Sequence, residues 1–353
     1  MGLNLIEVLR TLDMYPDHWH SWEEPFFHHT RVERESRLIE REEFHEVPIE
    51  PSSWKKWLSQ SRSPADLRKV IFVDGVRRIH RRLYGGDGTE GCVAEIIVGH
   101  LLWDKNGSIV PCRSPRVVRI VALPEHKIRR LRERSAYIPL LEAFNFELVS
   151  LSPQGEDRVS RTVNNRLLLE ESNYLRFLVG HGEGFVIKDG TIHPGAPLFS
   201  GIRFGPVGLV KRVLREHLPL DTLAILKELG RGERTPFYAV YLREREDILR
   251  IMCYLRISEP EPYGNPMKGI VRLEMIVGRM DFEDDCGRKR LKKEISVVFD
   301  SLAIFLSSLT IKGCDLPRSP ENLPVIASLE EWLSSFFLPS DYISALLEGG
   351  ISS

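Results

Sequence analysis

The sequence predicts an α/β fold, a mixed β-sheet flanked by helices with an N-terminal helical extension. Three observations carry this. Apolar, β-branched runs such as KVIFVD (69–74) and FVIKDG (185–190) recur between glycine-rich turns. A long helical period runs from about Asp157 to Val179. Strands and helices are interspersed along the chain, so they share one core.

The elements follow in order. Residues 1–65 are rich in aromatics, His, Glu and Pro, and form an extension that closes in the linker-like SQSRSPAD (59–66). The first residues, MGLNLIEVLRTLDMYPDHW, lack the basic-then-apolar pattern of a secretory signal and read as a short amphipathic helix. The main domain is expected over 66–345. It opens with KVIFVD, VRRIHRRLY (76–84) and GCVAEIIVGHLL (91–102), the latter two separated by the turn residues YGGDGTEG. PRVVRIVAL (115–123) is a further strand, and HKIRRLRERSAYIPLLEAF (126–144) a helix. The long helix stops at Gly180, Gly182 and Gly184. FVIKDG follows as a strand, then a loop, then an expected amphipathic helix VGLVKRVLREHL (207–218). Strands at 236–242, 248–257 and 268–280 and helices at about 288–309 and 327–337 complete the chain.

Composition excludes several classes. Of 353 residues, 42% are hydrophobic and 28% charged, which is typical of a soluble globular protein. No apolar run is long enough to span a bilayer, so no membrane partner is expected. The five cysteines are scattered, with no C-x-x-C, which argues against a disulfide framework or zinc ribbon and for a cytoplasmic location. The net charge of −1 hides basic clusters at RRIHRR (77–82), HKIRRLRER (126–134) and GRKRLKK (287–293). Each has an ordinary reading as a solvated face, but local positive charge is all that a nucleic-acid path requires. There is no Walker A loop and no G-x-S-x-G elbow. The histidines of HWHSWEEPFFHH (18–29) read as packed or surface groups rather than metal ligands.

The chemistry-bearing feature is the repeated Asp-Gly at a strand end. Asp74-Gly75 is also a hairpin signal, with VRRIHRRLY as a plausible returning strand. Asp189-Gly190 is a poorer hairpin, because TIHPGAPLF carries two prolines and no alternation. Two carboxylates at one sheet edge suit a divalent ion with hard oxygen ligands. The helix before FVIKDG adds Glu170 and Glu171, each bordered by apolar residues at helical spacing, and periodicity does not separate them. Glu274 in VRLEM is either a strand carboxylate near such a site or a core acid paired with Arg272. Lys211 is either an exposed lysine or a phosphate contact. Arg77 and Arg78 point to opposite faces of a strand, so only one of them can aim at the site.

These residues, with FVDGVRRIHRRL, VIKDGTIHPGAPLF, VGLVKRVLREHL, RTPFYAVYLR, CYLRI, GIVRLEMI and PRSPENLPVIASLEEWL in that order, resemble the bacterial branch of the NurA nucleases over about 66–340. The resemblance implies an RNase H-like core and an Mn²⁺- or Mg²⁺-dependent deoxyribonuclease. It implies Asp74, Asp189 and Glu171 (or its neighbour Glu170) as metal ligands, with Lys211 among the catalytic groups. Arg77, Arg78, Arg129, Arg130 and Lys211 are expected to contact DNA. It further implies a homodimer and a HerA-type hexameric ATPase as partner, in DNA repair or antiviral defence. One departure stands out: archaeal members carry a Tyr and a His near the C-terminus, where ENLPVIASLEEW has neither. Glu330 is the nearest substitute for a further ligand. Without the His, a non-catalytic DNA-binding or scaffold subunit is the alternative, and an RNase is a third.

Overall fold

A computed structural model describes residues 5–16, 36–58, 67–104, 106–133, 145–152, 157–211, 218–242, 245–260, 265–282, 284–310 and 321–348. Within them the strands are β1 Met14–Pro16, β2 Ser36–Leu38, β3 Lys69–Gly85, β4 Glu90–Asp104, β5 Ile109–Pro111, β6 Arg116–Leu123, β7 Phe146–Ser150, β8 Phe185–Asp189, β9 Val207–Val210, β10 Tyr238–Leu242, β11 Arg245–Arg256 and β12 Ile270–Gly278. The helices are α1 Leu5–Thr11, α2 Pro51–Leu58, α3 Glu125–Glu133, α4 Arg158–His181, α5 Leu220–Ala224, α6 Asp285–Ser308, α7 Pro324–Ser334 and α8 Ser340–Glu348. The strands form one mixed sheet in the order β2-β10-β11-β12-β9-β8-β3-β4-β6-β7, with β1 on β3 and β5 on β4. The expected mixed α/β architecture is therefore present.

The two-residue period of β3 divides the core. Val70, Phe72 and Val76 join Val298, Phe299 and Leu302 of α6 and Leu329 and Leu333 of α7. Ile71 and Val73 join Val163, Leu167, Tyr174 and Leu175 of α4 on the other face. Helix α4 is fixed at both ends. The Asp157 carboxylate accepts from the Ser160 amide at 3.1 Å, and Gly182 closes the helix at φ 64°.

The hairpin expected at Asp74-Gly75 does not form. β3 runs through both residues for 17 positions, paired with β4 from Lys69↔Asp104 to Tyr84↔Glu90. VRRIHRRLY is the second half of β3 rather than a returning strand, because its residues keep their ladder with β4. The turn comes later, where Gly85 N–H donates to Thr89 O at 2.8 Å and Gly88 takes φ 77°. The helix expected at 207–218 is corrected in part. Residues 207–210 are the buried strand β9, parallel to β8 and antiparallel to β12. Being buried on both faces, VGLV has the continuous apolar pattern that a buried helix segment also shows. Residues 212–217 lie outside the described residues, as do 134–144 of the expected helix at 126–144.

The described part of the N-terminal extension is built into the body. β2 pairs with β10, and Trp54 of α2 is fully buried against Ile225, Leu226 and Tyr238. The Arg234 guanidinium grips Glu46 through two bonds of 2.7 and 3.0 Å, reaches Asp300 of α6 at 2.8 Å, and stacks on Trp57 at 4.5 Å. The histidine-rich stretch 18–29 lies outside the described residues. At the other end, the apolar segment 332–347 packs on the protein's own core through Leu333, Ile343, Leu346 and Leu347.

Candidate metal centre

Strand register places the two aspartates together. β3 and β8 are parallel, with Val73 opposite Lys188. The next residue on each strand is an aspartate, so Asp74 and Asp189 are neighbours on one face. That face is turned toward α7. Gly99, the β4 partner of Asp74, packs so closely under α7 that a Cβ there would lie 2.7 Å from Leu333 Cδ2 and 3.0 Å from Trp332 Cζ3. Glu330 of α7 completes the group. Asp74, Asp189 and Glu330 each offer an oxygen, and these oxygens all lie within 4.8 Å of one another.

Lys211 is the cation of this cluster. Asp189 pairs with Leu209 of β9, and Lys211 lies two residues on, hence on the same face. Its Nζ donates to Asp189 Oδ2 at 2.7 Å and to Asn322 Oδ1 at 2.7 Å, and stands 3.7 Å from Glu330 Oε1. One ammonium among three carboxylates leaves the group electron-rich. Burial raises the Asp74 carboxyl well above the ordinary carboxylate range. The charges of Asp189, Glu171 and Glu330 add to this, and the charge of Lys211 opposes it. Such a donor set fits a hard divalent cation: the oxygens are all carboxylate, they converge, and one of them is buried without enough positive charge.

The two helix glutamates separate. Glu170 belongs to a charge network away from the trio, with Arg116 Nε at 2.6 Å and Arg166 Nη2 at 2.7 Å. Glu171 reaches toward β3 beside Gly75, where its Oε1 would lie 3.0 Å from an added Cβ. It pairs with Lys188 Nζ at 3.0 Å and is not one of the three converging carboxylates. Burial raises the Glu171 carboxyl despite Lys188.

Among the other expected groups, Arg78 lies on the Asp74 face, its guanidinium 4.5 Å from the Phe337 ring centre, and Arg77 takes the opposite face. Arg129 and Arg130 sit exposed on α3, beyond β4, β6 and β7, and Arg129 stands 3.6 Å from Glu125. They do not join the cluster. Glu274 is a core acid, 3.1 Å from Arg272 and 3.7 Å from Arg250, and it accepts from the Ile192 amide at 2.7 Å. Asn322 and Lys188 were not singled out by sequence. Asn322 carries no pattern, whereas Lys188 follows directly on the apolar run Phe185, Val186 and Ile187 of β8, an available signal.

Among the described residues no helix is long and apolar enough to cross a membrane. No family model matches the chain, and no curated protein matches it.

Proposed function

We propose that the chain is a divalent-metal-dependent deoxyribonuclease with an RNase H-like core, similar to the NurA nucleases. The observation that carries this reading is the convergence of Asp74, Asp189 and Glu330 around one electron-rich point. These three would hold Mn²⁺ or Mg²⁺. A bound ion supplies Lewis acidity toward a phosphodiester and makes water a competent nucleophile at neutral pH.

The chain's own residues do the rest. Asn322 holds Lys211 Nζ in place, so the ammonium is a fixed positive charge beside the carboxylates, where it can orient an incoming phosphate. Arg78 shares that face and supplies a second cation along β3. Contacts of this kind read the backbone rather than the bases, so cleavage should be sequence-tolerant and should fall steeply with salt. The resemblance further suggests a homodimer and a HerA-type hexameric ATPase that feeds DNA to it, in end processing for repair or in defence.

The test is cleavage of labelled linear DNA with Mn²⁺ or Mg²⁺, with and without such a motor, alongside an RNA substrate. Activity in the wild type and none in Asp74→Asn or Asp189→Asn supports the reading. Equal activity in all three, or none under any metal with the motor present, removes it and leaves a binding subunit. Preference for RNA makes the enzyme a ribonuclease.

A further inference from the structure

We propose that Trp332 and Phe336, at the end of α7, form a stacking shelf for an unpaired base of the strand whose phosphodiester lies on the carboxylate trio. The proposal deepens the nuclease reading and rests on it.

The shelf stands beside the trio. Trp332 follows Glu330 by two residues on α7 and leans over the neighbouring strand, where a Cβ on Gly99 would lie 3.0 Å from Trp332 Cζ3. Gly99 is the β4 partner of Asp74, about 5 Å away between Cα atoms. The Trp332 and Phe336 rings meet edge to face, their centres 5.4 Å apart and their planes at 83°. Phe336 is 39% exposed, yet the segment that carries it is firmly held. Its N–H donates to Leu333 O at 3.1 Å, and two residues on the Leu338 N–H donates to Glu95 Oε2 at 2.8 Å. Glu95 is fully buried and is itself fixed by Arg119 Nε at 2.7 Å and His80 Nε2 at 2.9 Å. A buried carboxylate thus anchors a turn whose aromatic ring is open to water. A ring fixed before binding loses little entropy when a ligand covers it.

The surrounding charge says what covers it. Lys211 Nζ stands 2.7 Å from Asp189 Oδ2 on the same face of the sheet. Arg78 lies four residues beyond Asp74, about 13 Å along β3, with its guanidinium 4.5 Å from the Phe337 ring centre. Cations beside aromatic rings suit a chain that alternates anionic links with flat apolar faces, and a nucleic-acid strand has that alternation. With one phosphodiester on the trio and the next running toward Arg78, a base reaches the end of α7. Within a duplex both faces of a base are covered by its neighbours, so an unpaired base is the one with a face to offer Phe336. Such stacking accepts every base, in keeping with sequence-tolerant cleavage.

The test is equilibrium binding of the full chain to two short fluorescein-labelled DNA strands, one ordinary and one abasic throughout, with Ca²⁺ replacing Mn²⁺ to hold back cleavage. The strands carry the same phosphates and differ only in their bases. The wild type should bind the ordinary strand about 5–150-fold more tightly, as expected for one stacked base. Trp332→Ala/Phe336→Ala should lose that preference and keep its affinity for the abasic strand, whereas Trp332→Phe and Phe336→Tyr should retain the preference. The single Phe336→Ala change, at an exposed ring, should reduce the preference too and does not depend on the double variant folding. Equal weakening on both strands would make the rings merely structural and overturn the proposal, as would an unchanged preference in the variants. A wild type that cleaves DNA without any base preference removes the shelf and leaves the nuclease; one that neither binds nor cleaves DNA removes both. Sedimentation velocity covers the other occupant: variants that fall from dimer to monomer with the base preference intact would assign the rings to a second copy of the chain.

Discussion

Asp74 and Asp189 are neighbours because β3 and β8 run parallel, and each aspartate lies one step beyond the Val73↔Lys188 pair. No local turn brings them together; the sheet does. The resulting repulsion has a stability consequence. Burial first, then Asp189, holds the Asp74 carboxyl high, so the folded chain binds a proton there more readily than the unfolded chain. Its penalty is absent below the unfolded carboxylate range and grows as pH rises toward the folded value. Asp74→Asn should therefore raise the melting temperature of the metal-free protein by a few degrees at neutral pH. The same change should abolish DNA cleavage. Scanning calorimetry with and without Mn²⁺ checks both signs, since the ion should stabilise the wild type and not the variant.

Glu330 and Glu331 are adjacent on α7, but only Glu330 joins the trio. Glu330→Gln is expected to lower cleavage at least about 100-fold, in the range seen when a transition-state charge partner is lost. Glu331→Gln should leave it within about twofold, as an exposed substitution does. Single-turnover rates at saturating Mn²⁺ separate the two.

Gly75 is a glycine for reasons of space rather than turn geometry. Gly75→Ala would put a Cβ 2.5 Å from Leu167 Cδ1, and the overpacking should cost about 1–3 kcal/mol. Adding Leu167→Ala should recover less than its own cavity cost removes, so the pair will be non-additive in urea melts.

Arg234 ties the N-terminal segment to the sheet and to α6. Removing it leaves Glu46 and Asp300 without their shared cation, and Arg234→Met should cost about 3–5 kcal/mol. Burial raises the Glu46 carboxyl, but the charge of Arg234 and bonds from Arg234, Ser296 and Phe237 outweigh it and hold the group below its usual range. Denaturant unfolding measures the loss. A drop below 1 kcal/mol would show the network to be replaceable.

His45 gives the same segment a pH limit. Its Nδ1 accepts from the Ala239 amide at 3.2 Å, and its Nε2 meets Ile39 O at 2.6 Å, which requires the neutral ring. Burial lowers its pKa. The unfolded chain then takes up the proton first, so this contribution is complete above about 6.5 and declines as pH falls below it. His45→Gln should flatten the fall in stability between pH 7 and pH 5. An unchanged slope would assign that fall to other groups.

The aspartates were legible because a charge directly after an apolar, β-branched run is a local pattern. Gly75 misled for the same reason: Asp-Gly marks a hairpin unless a helix needs the space above it. Glu170 and Glu171 could not be separated, since both are buried and both border apolar residues. What divides them is a distant partner, Arg116 for one and Lys188 for the other. VGLV failed as a helix because a strand buried on both faces has no alternation to display. Asn322 had no signature at all, because its role exists only once Lys211 has been brought to it.

The placement of Glu330 has a consequence for the timing of biosynthesis. Asp74 emerges early from the ribosome and Asp189 near mid-chain, while Asn322 and Glu330 come within the last stretch of the sequence. A nascent or prematurely terminated chain that stops before Asn322 holds two of the three carboxylates and has no support for Lys211 from Asn322. The trio thus depends on segments far apart in the sequence, and Asp74 and Asp189 alone do not make it.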